Sequence, residues 1–313
     1  MIAAVINGRT IRQDLGLLEK PGNCDIHEIR LDFLEKIDEI NEMNVNKLLN
    51  ASKKPVIITI RKESDGGHFR GSETKRISLL RKCLDLQPGY MDVEFSSDKK
   101  EIMELIGGKK RTKIIISYHN FENTPNDIGK IHDEIKKIDP DIIKIVTKAN
   151  SVSDNFRIFD LVKKSNQEGC RIIAFCMGDF GQFSRIQSLI LGSQITYASA
   201  SDEKPSAPSQ ISLKDLNEIY NVKTINKDTK VAGLIGNPVG HSWSHILHNL
   251  AFKELGINAV YLKYKVDKIE EFVEYCRKQY PLGFSVTIPH KIEIMKHLDE
   301  TDDKAKKSGL STR

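Results

Sequence analysis

Short β-branched runs alternate along the chain with longer stretches in which apolar residues recur every three to four positions. The runs predict strands over Ile2–Ile6, Ile26–Leu31, Pro55–Arg61, Tyr90–Glu94, Lys113–Tyr118, Asp141–Val146, Arg171–Cys176 and Ile195–Ala198. Helical periodicity fills gaps between them over Ile37–Leu49, Thr74–Leu86, Ile128–Ile138, Asn155–Ser165 and Phe183–Leu191, and Ile211–Tyr220 reads as a closing helix. Strand–helix alternation repeated eight times is the pattern of an α/β (β/α)8 TIM barrel. Asn221–Lys230 is polar and aperiodic, a linker. A second, shorter series follows: strands at Val231–Ile235, Ala259–Tyr264 and Gly283–Val286, with helices at Ser244–Leu255 and Ile269–Tyr280. The expected division is therefore 1–222, a linker at 223–230, and a partial α/β lobe at 231–313.

Polar side chains fall at the ends of these strands in a way that periodicity alone does not require. Glu28 and Arg30, Asp92 and Glu94 share faces two residues apart, and Arg61, His119 and Lys144 occupy comparable positions, with Arg185 beyond the seventh strand. Barrel chemistry sits at the carboxyl ends of strands, and a charge inside a strand is costly to bury unless it is paired or used. Taken singly, Lys144 reads as a strand-end lysine with its head in water, and His119 as a hydrogen-bonded core histidine. Glu28 and Arg30 read equally well as a structural ion pair. Together they converge on one rim, where neighbouring arginines would favour a free Lys144 amine able to form a Schiff base.

These residues resemble the type I 3-dehydroquinate dehydratases. The resemblance rests on Glu28-Ile-Arg30-Leu-Asp32, Thr59-Ile-Arg61, Ser117-Tyr-His119-Asn-Phe121, Ile143-Lys144-Ile145-Val146, Met177-Gly178 with Ser184-Arg185, Thr196-Tyr197-Ala198 and Ser206-Ala207-Pro208-Ser209-Gln210. It implies that Lys144 forms an imine with 3-dehydroquinate and that His119 acts as general base and then acid in a syn elimination giving 3-dehydroshikimate, with no cofactor or metal. It also implies substrate binding by Glu28, Arg30, Arg61, Arg185, Ser206 and Gln210, and a homodimer. Asp65 stands where the family usually has glutamate, a side chain expected to orient the histidine. Ser209 replaces a common glycine, at a cost of about a kilocalorie or more if the position needs positive φ.

From Val231 the chain resembles the substrate-binding lobe of shikimate dehydrogenase, through Gly236-Asn-Pro-Val-Gly-His241-Ser242-Trp-Ser244 and Ser285-Val-Thr287-Ile-Pro-His-Lys291. The resemblance implies that Ser242, Ser244 and Thr287 bind shikimate or 3-dehydroshikimate and that Lys291 is a catalytic acid/base. A complete dehydrogenase needs NADP, and no glycine-rich dinucleotide fingerprint follows any strand of this chain, so the dehydrogenase half is expected to be inactive as a truncated lobe. Lys307–Arg313 is encodable so that a shifted frame reads Ile-Gly-Ala-Val-Asn-Thr, the family's hexapeptide at this point, which suggests a reading-frame slip. Such a partial lobe is expected to expose apolar surface and to be trimmed first in limited proteolysis. The order of the two parts matches fused bifunctional enzymes of the shikimate pathway. A class I aldolase and a non-catalytic barrel scaffold are the competing readings.

Composition narrows the picture further. With 39% hydrophobic and 29% charged residues the chain can bury a core. No apolar run approaches the ~20 residues of a membrane span, and the first residues lack a signal-peptide core. Five cysteines without CxxC spacing argue against a disulfide framework and for the cytoplasm. The net charge of +5 is spread through Lys/Glu mixtures, so no nucleic-acid partner is expected.

Overall fold

The computed structural model of the chain describes residues 1–20, 22–200, 209–279 and 281–303. Its first part runs β1 (Ile2–Ile6), α1 (Ile11–Glu19), β2 (Ile26–Arg30), α2 (Glu42–Ala51), β3 (Val56–Thr59), α3 (Glu73–Asp85), β4 (Tyr90–Glu94) and α4 (Lys99–Gly108). It continues with β5 (Lys113–Asn120), α5 (Ile128–Lys136), β6 (Ile142–Lys148), α6 (Val152–Gln167), β7 (Ile172–Met177), α7 (Ser184–Ile190), β8 (Thr196–Ser199), β9 (Ile211–Ser212) and α8 (Leu213–Glu218). The second part comprises β10 (Lys230–Gly236), α9 (Ser244–Glu254), β11 (Ala259–Lys265), α10 (Ile269–Arg277) and β12 (Gly283–Val286).

Local chemistry sets several boundaries. Thr10, Asn41, Ser72 and Asp98 each accept an amide hydrogen bond at a helix start. Because Asn41 caps there, the helix expected over Ile37–Leu49 is split into a 3-10 turn at Ile37–Glu39 and α2. The closing helix likewise begins two residues late. Ile211–Ser212 pairs as a strand, and the Ser212 hydroxyl then caps α8.

The closed (β/α)8 barrel does not form. The parallel sheet has the linear order β7-β6-β5-β4-β3-β2-β1-β8-β9, an open, strongly curled half-barrel without a β7–β8 ladder. The reason lies in the amides of the seam. Ala174 and Cys176, whose N–H groups would face β8, donate instead to the hydroxyls of Ser193 (3.1 Å) and Ser184 (2.8 Å). On its side, β8 takes β9 as its second neighbour, Ala198 opposite Ile211 and Ser199 opposite Ser212. Among the described residues a single backbone bond, from Gln194 N–H to the Ile172 carbonyl (2.8 Å), crosses the gap.

Apolar packing lies on both sides of the curl. Ala3, Val5, Ile26, Ile57, Ile115, Ile142 and Ile173 fill its concave side, while a larger layer seals the convex side against the helices. The second part is a three-stranded parallel sheet, β11-β10-β12. It packs on α6 and α7 through Phe159, Phe183, Tyr264 and Phe272, with Phe156 stacked on Tyr275 at 4.0 Å. Asp267 accepts from Ser151 Oγ (3.1 Å) and Val152 N–H (3.0 Å) at the start of α6. The lobe is thus docked on one face. Trp243, Leu247, Leu250, Ile288 and Ile292 are exposed elsewhere on it. Among the described residues no helix is long and apolar enough to cross a membrane.

Candidate active site

Alternate strands of the curl, β2, β4, β6 and β8, send Glu28, Asp92, Lys144 and Tyr197 to one layer at its carboxyl end. Lys144 Nζ donates to Asp92 Oδ2 at 2.8 Å, lies 3.7 Å from Glu28 Oε1, and sits 4.3 Å from the Tyr197 ring centroid. All four side chains are buried. The sequence placed arginines beside this lysine; the structure surrounds it with carboxylates, because Arg61 turns to Asp92 instead.

Arg61 joins the lysine to the histidine. Its Nη2 donates to Asp92 Oδ1 at 2.7 Å, and its Nη1 lies 2.7 Å from His119 Nε2. A guanidinium only donates, so Nε2 accepts and a neutral His119 carries its proton on Nδ1. That nitrogen is buried with no partner among the described residues. Burial, then the positive charges of Arg61 and Lys144, hold the His119 pKa well below the ordinary histidine value. Asp92 is pushed up by burial, but Arg61 and then Lys144 bring it far below the usual carboxylate range. Ser117 Oγ donates to the same Oδ1 at 2.6 Å.

The other expected residues divide. Glu28 accepts from Thr59 Oγ1 at 3.0 Å. Arg30 forms a two-pronged pair with Asp32 (2.9 and 2.8 Å), so the alternative Glu28–Arg30 ion pair does not form. Arg185 is buried with its guanidinium 4.6 Å from the Phe175 ring centroid, and burial lowers its pKa to about 10. Gln210 borders the same cavity as Lys144 and His119, and Ser206 lies outside the described residues. Ser209 has φ of 55°, so the left-handed backbone that the sequence flagged is present.

Asp65 does not reach the histidine. Its Oδ2 accepts from Ser96 Oγ (2.8 Å) and Ser64 Oγ (3.2 Å) and lies 3.6 Å from Lys62 Nζ. The backbone favours the glycine after it, since Gly66 has φ of 74°, and a Cβ there would also have to displace the Phe121 ring, which stacks on His119.

Sequence reasoning assigned no role to Asp92, Ser117, Tyr197 or Arg76. Asp92 and Tyr197 were visible as strand positions facing the same way as Lys144. Arg76 was not, because its 3-10 and helical neighbours give no hint that a helix cation reaches back under the sheet. It is fully buried on α3, bonded to Glu73, Glu94, Ser97 and the Ile60 carbonyl.

In the second part, the loops after β10 and β12 meet at the carboxyl end of their sheet, where Asn237 N–H donates to the Ile288 carbonyl at 2.9 Å. Ser242 Oγ donates to Ser244 Oγ at 3.0 Å, and Thr287 N–H donates to the Ile235 carbonyl at 2.9 Å. Among the described residues no hydrogen bond joins Lys291 to Ser242, Ser244 or Thr287.

Comparison with known proteins places these two regions. The family model of type I 3-dehydroquinase matches residues 2–227, and that of the shikimate dehydrogenase substrate binding domain matches residues 234–310. The chain is 37% identical over 290 residues to the chloroplastic bifunctional 3-dehydroquinate dehydratase/shikimate dehydrogenase of Arabidopsis thaliana, covering 91% of this chain and 47% of that protein. It therefore spans about half the length of this relative. It is 36% identical over 226 residues to the 3-dehydroquinate dehydratase of Pyrococcus abyssi, covering 71% of this chain and 98% of that one. Among solved structures, the dehydroquinate dehydratase and shikimate dehydrogenase from S. pombe AroM align with a TM-score of 0.62 at 28% identity, over 99% of this chain and 60% of theirs. With its lysine, histidine and arginines gathered at one end of the sheet, the chain belongs to the type I 3-dehydroquinase family and carries a shikimate dehydrogenase substrate-binding unit fused behind the dehydratase unit.

Proposed function

We propose that residues 1–222 catalyse the syn elimination of water from 3-dehydroquinate to 3-dehydroshikimate, a step of the shikimate pathway, with residues 223–230 connecting them to the lobe at 231–313. The observation that carries this reading is that Lys144 and a neutral His119, both lining one cavity, are linked through Arg61 and Asp92. The Lys144 ammonium lends a proton so that its nitrogen can add to the substrate ketone, and loss of water leaves an iminium that keeps one proton and the positive charge. That electron sink acidifies the neighbouring carbon, His119 takes its proton, and the electron pair expels the C1 hydroxyl with proton delivery from His119. For this the His119 lone pair must leave Arg61, which the substrate's own oxygens achieve by competing for the guanidinium. Arg185 suits the substrate carboxylate, since burial leaves its charge poorly solvated. Glu28, Arg30, Gln210 and Ser206 complete the binding set. Asp65, tied to Ser96, holds the Gly66-Gly67 loop under Phe121 instead of orienting the histidine.

The lobe supports a second assignment: Ser242, Ser244 and Thr287 for shikimate or 3-dehydroshikimate and Lys291 as proton carrier. Its residues do not fit NADP, because the turn after β10 carries Asn237-Pro238 where a pyrophosphate needs glycines, and no hydride step is assigned to them. We also assign the chain to a homodimer in the cytoplasm; five free cysteines suit that compartment. The test is borohydride reduction in the presence of 3-dehydroquinate followed by peptide mass analysis. A reduced adduct on Lys144 is expected, with enone absorbance appearing before quenching. A folded chain that gives neither points to the scaffold reading, and an adduct with no enone points to an aldolase.

A further inference from the structure

We propose that Asp92 is the counter-ion of the iminium on Lys144, the residue that keeps the bound imine protonated throughout turnover. The proposal rests on the imine reading above. Ketone plus ammonium gives iminium plus water: the C–N bond forms, the carbonyl oxygen leaves with two protons, and the nitrogen keeps one proton and its positive charge. An ammonium has three N–H donors and can satisfy Asp92 and Glu28 together, whereas an iminium has one. Asp92 is the partner positioned to receive it, with Oδ2 at 2.8 Å from Nζ against 3.7 Å for Glu28.

The other side of the carboxylate fixes its aim. Oδ1 accepts from Arg61 (2.7 Å) and Ser117 (2.6 Å), and the side chain is almost completely buried, so Oδ2 has no solvent to turn to. Loss of the iminium proton would leave that oxygen without a donor in a dry site, which is strongly unfavourable for a buried carboxylate. The strong depression of the Asp92 pKa is consistent with a group that remains an anion and does not itself shuttle the proton. The electron sink thus stays charged at pH values where an ordinary imine would be neutral.

Borohydride reduces a protonated imine much faster than a neutral one, so the proton can be read from trapping. The experiment measures the rate of adduct formation on Lys144 with 3-dehydroquinate from about pH 6 to about pH 10, the upper end being the ordinary lysine range, with a chemical control for borohydride's own pH dependence. The wild-type chain is expected to trap at a level rate. Asp92→Asn is expected to lose trapping progressively as pH rises, with kcat falling about a hundredfold and KM changing little. Ser117→Ala, which removes a hydrogen bond but not the charge, keeps the level profile. Asp92→Asn trapping in parallel with wild type overturns the proposal, and so does Glu28→Gln showing the pH-dependent loss in its place. If Asp92→Asn does not fold, the wild-type profile decides alone, because a decline toward alkaline pH overturns it. Absence of any adduct from wild type at every pH is a different result, and it removes the imine reading itself.

Discussion

Arg76 lies outside the cavity yet underlies it, and replacing it with leucine tests how the charged strand ends are held. Its guanidinium donates to Glu73 (2.7 and 2.8 Å), Ser97 (2.7 Å), the Ile60 carbonyl (3.0 Å) and Glu94, itself buried on β4. Glu94 in turn accepts from Lys62 N–H at 3.1 Å and lies 3.9 Å from Arg61 Nε. A unit pair at about 3 Å and an effective dielectric near 20 attracts by roughly 5–6 kcal/mol. Removing the cation also removes its own desolvation cost, so the net loss is about 3–5 kcal/mol, the range for stranding one member of a buried pair. Urea unfolding of Arg76→Leu, Glu94→Gln and the double variant measures this directly. The double variant is expected to be more stable than Arg76→Leu alone. The sign with pH is also fixed. Burial already raises the Glu94 pKa and Arg76 restrains it, so removing Arg76 raises it further. A folded-state carboxyl pKa above the unfolded value favours folding as pH falls through it, and the Arg76→Leu deficit relative to wild type should shrink on acidification. An Arg76→Leu chain within about 1 kcal/mol of wild type at neutral pH would refute the reasoning, since no buried pair of this kind breaks so cheaply.

Two further expectations follow from the same geometry. Because the His119 pKa is depressed, kcat/KM for 3-dehydroquinate should stay level as pH falls through about 6.5 and decline only in more acid solution; an acid limb at or above that value contradicts the site's electrostatics. Asp267→Ala removes an acceptor from the start of α6, worth about 1 kcal/mol, and should speed proteolytic cleavage beyond residue 230 while the first part survives; an unchanged digestion rate would mean that the aromatic contacts alone hold the lobe.

The strands and the residues at their carboxyl ends could be read from the sequence because burial enforces a period of two, which put Glu28, Arg61, His119 and Lys144 on one rim. Pairing could not. Whether Arg30 meets Glu28 or Asp32, or Lys144 meets an arginine or Asp92, depends on register between strands far apart in sequence, and periodicity carries no register. Closure failed for a similar reason, since hydroxyls as unremarked as those of Ser184 and Ser193 take the amides that a barrel ladder would use. Asp65 could be seen as a departure, but its capture by Ser96, from the loop after another strand, could not. Helices α1 and α4 carry apolar residues at helical spacing, Ile11, Leu15 and Leu18 in one and Ile102, Leu105 and Ile106 in the other, and were legible in the sequence although the reading passed over them.

The open edge of the large sheet and the resting place of the lobe are joined by the same two helices. β7 is flanked in sequence by α6 and α7, and those two helices carry the aromatic contacts to Tyr264, Phe272 and Tyr275. The appended lobe therefore lies against the helices on either side of a seam that, among the described residues, one backbone hydrogen bond crosses. A dehydratase unit that closes its own seam can lose such a neighbour without mechanical consequence. In this chain, the two units share a wall, built on the helices that flank the strand next to β6 and its Lys144.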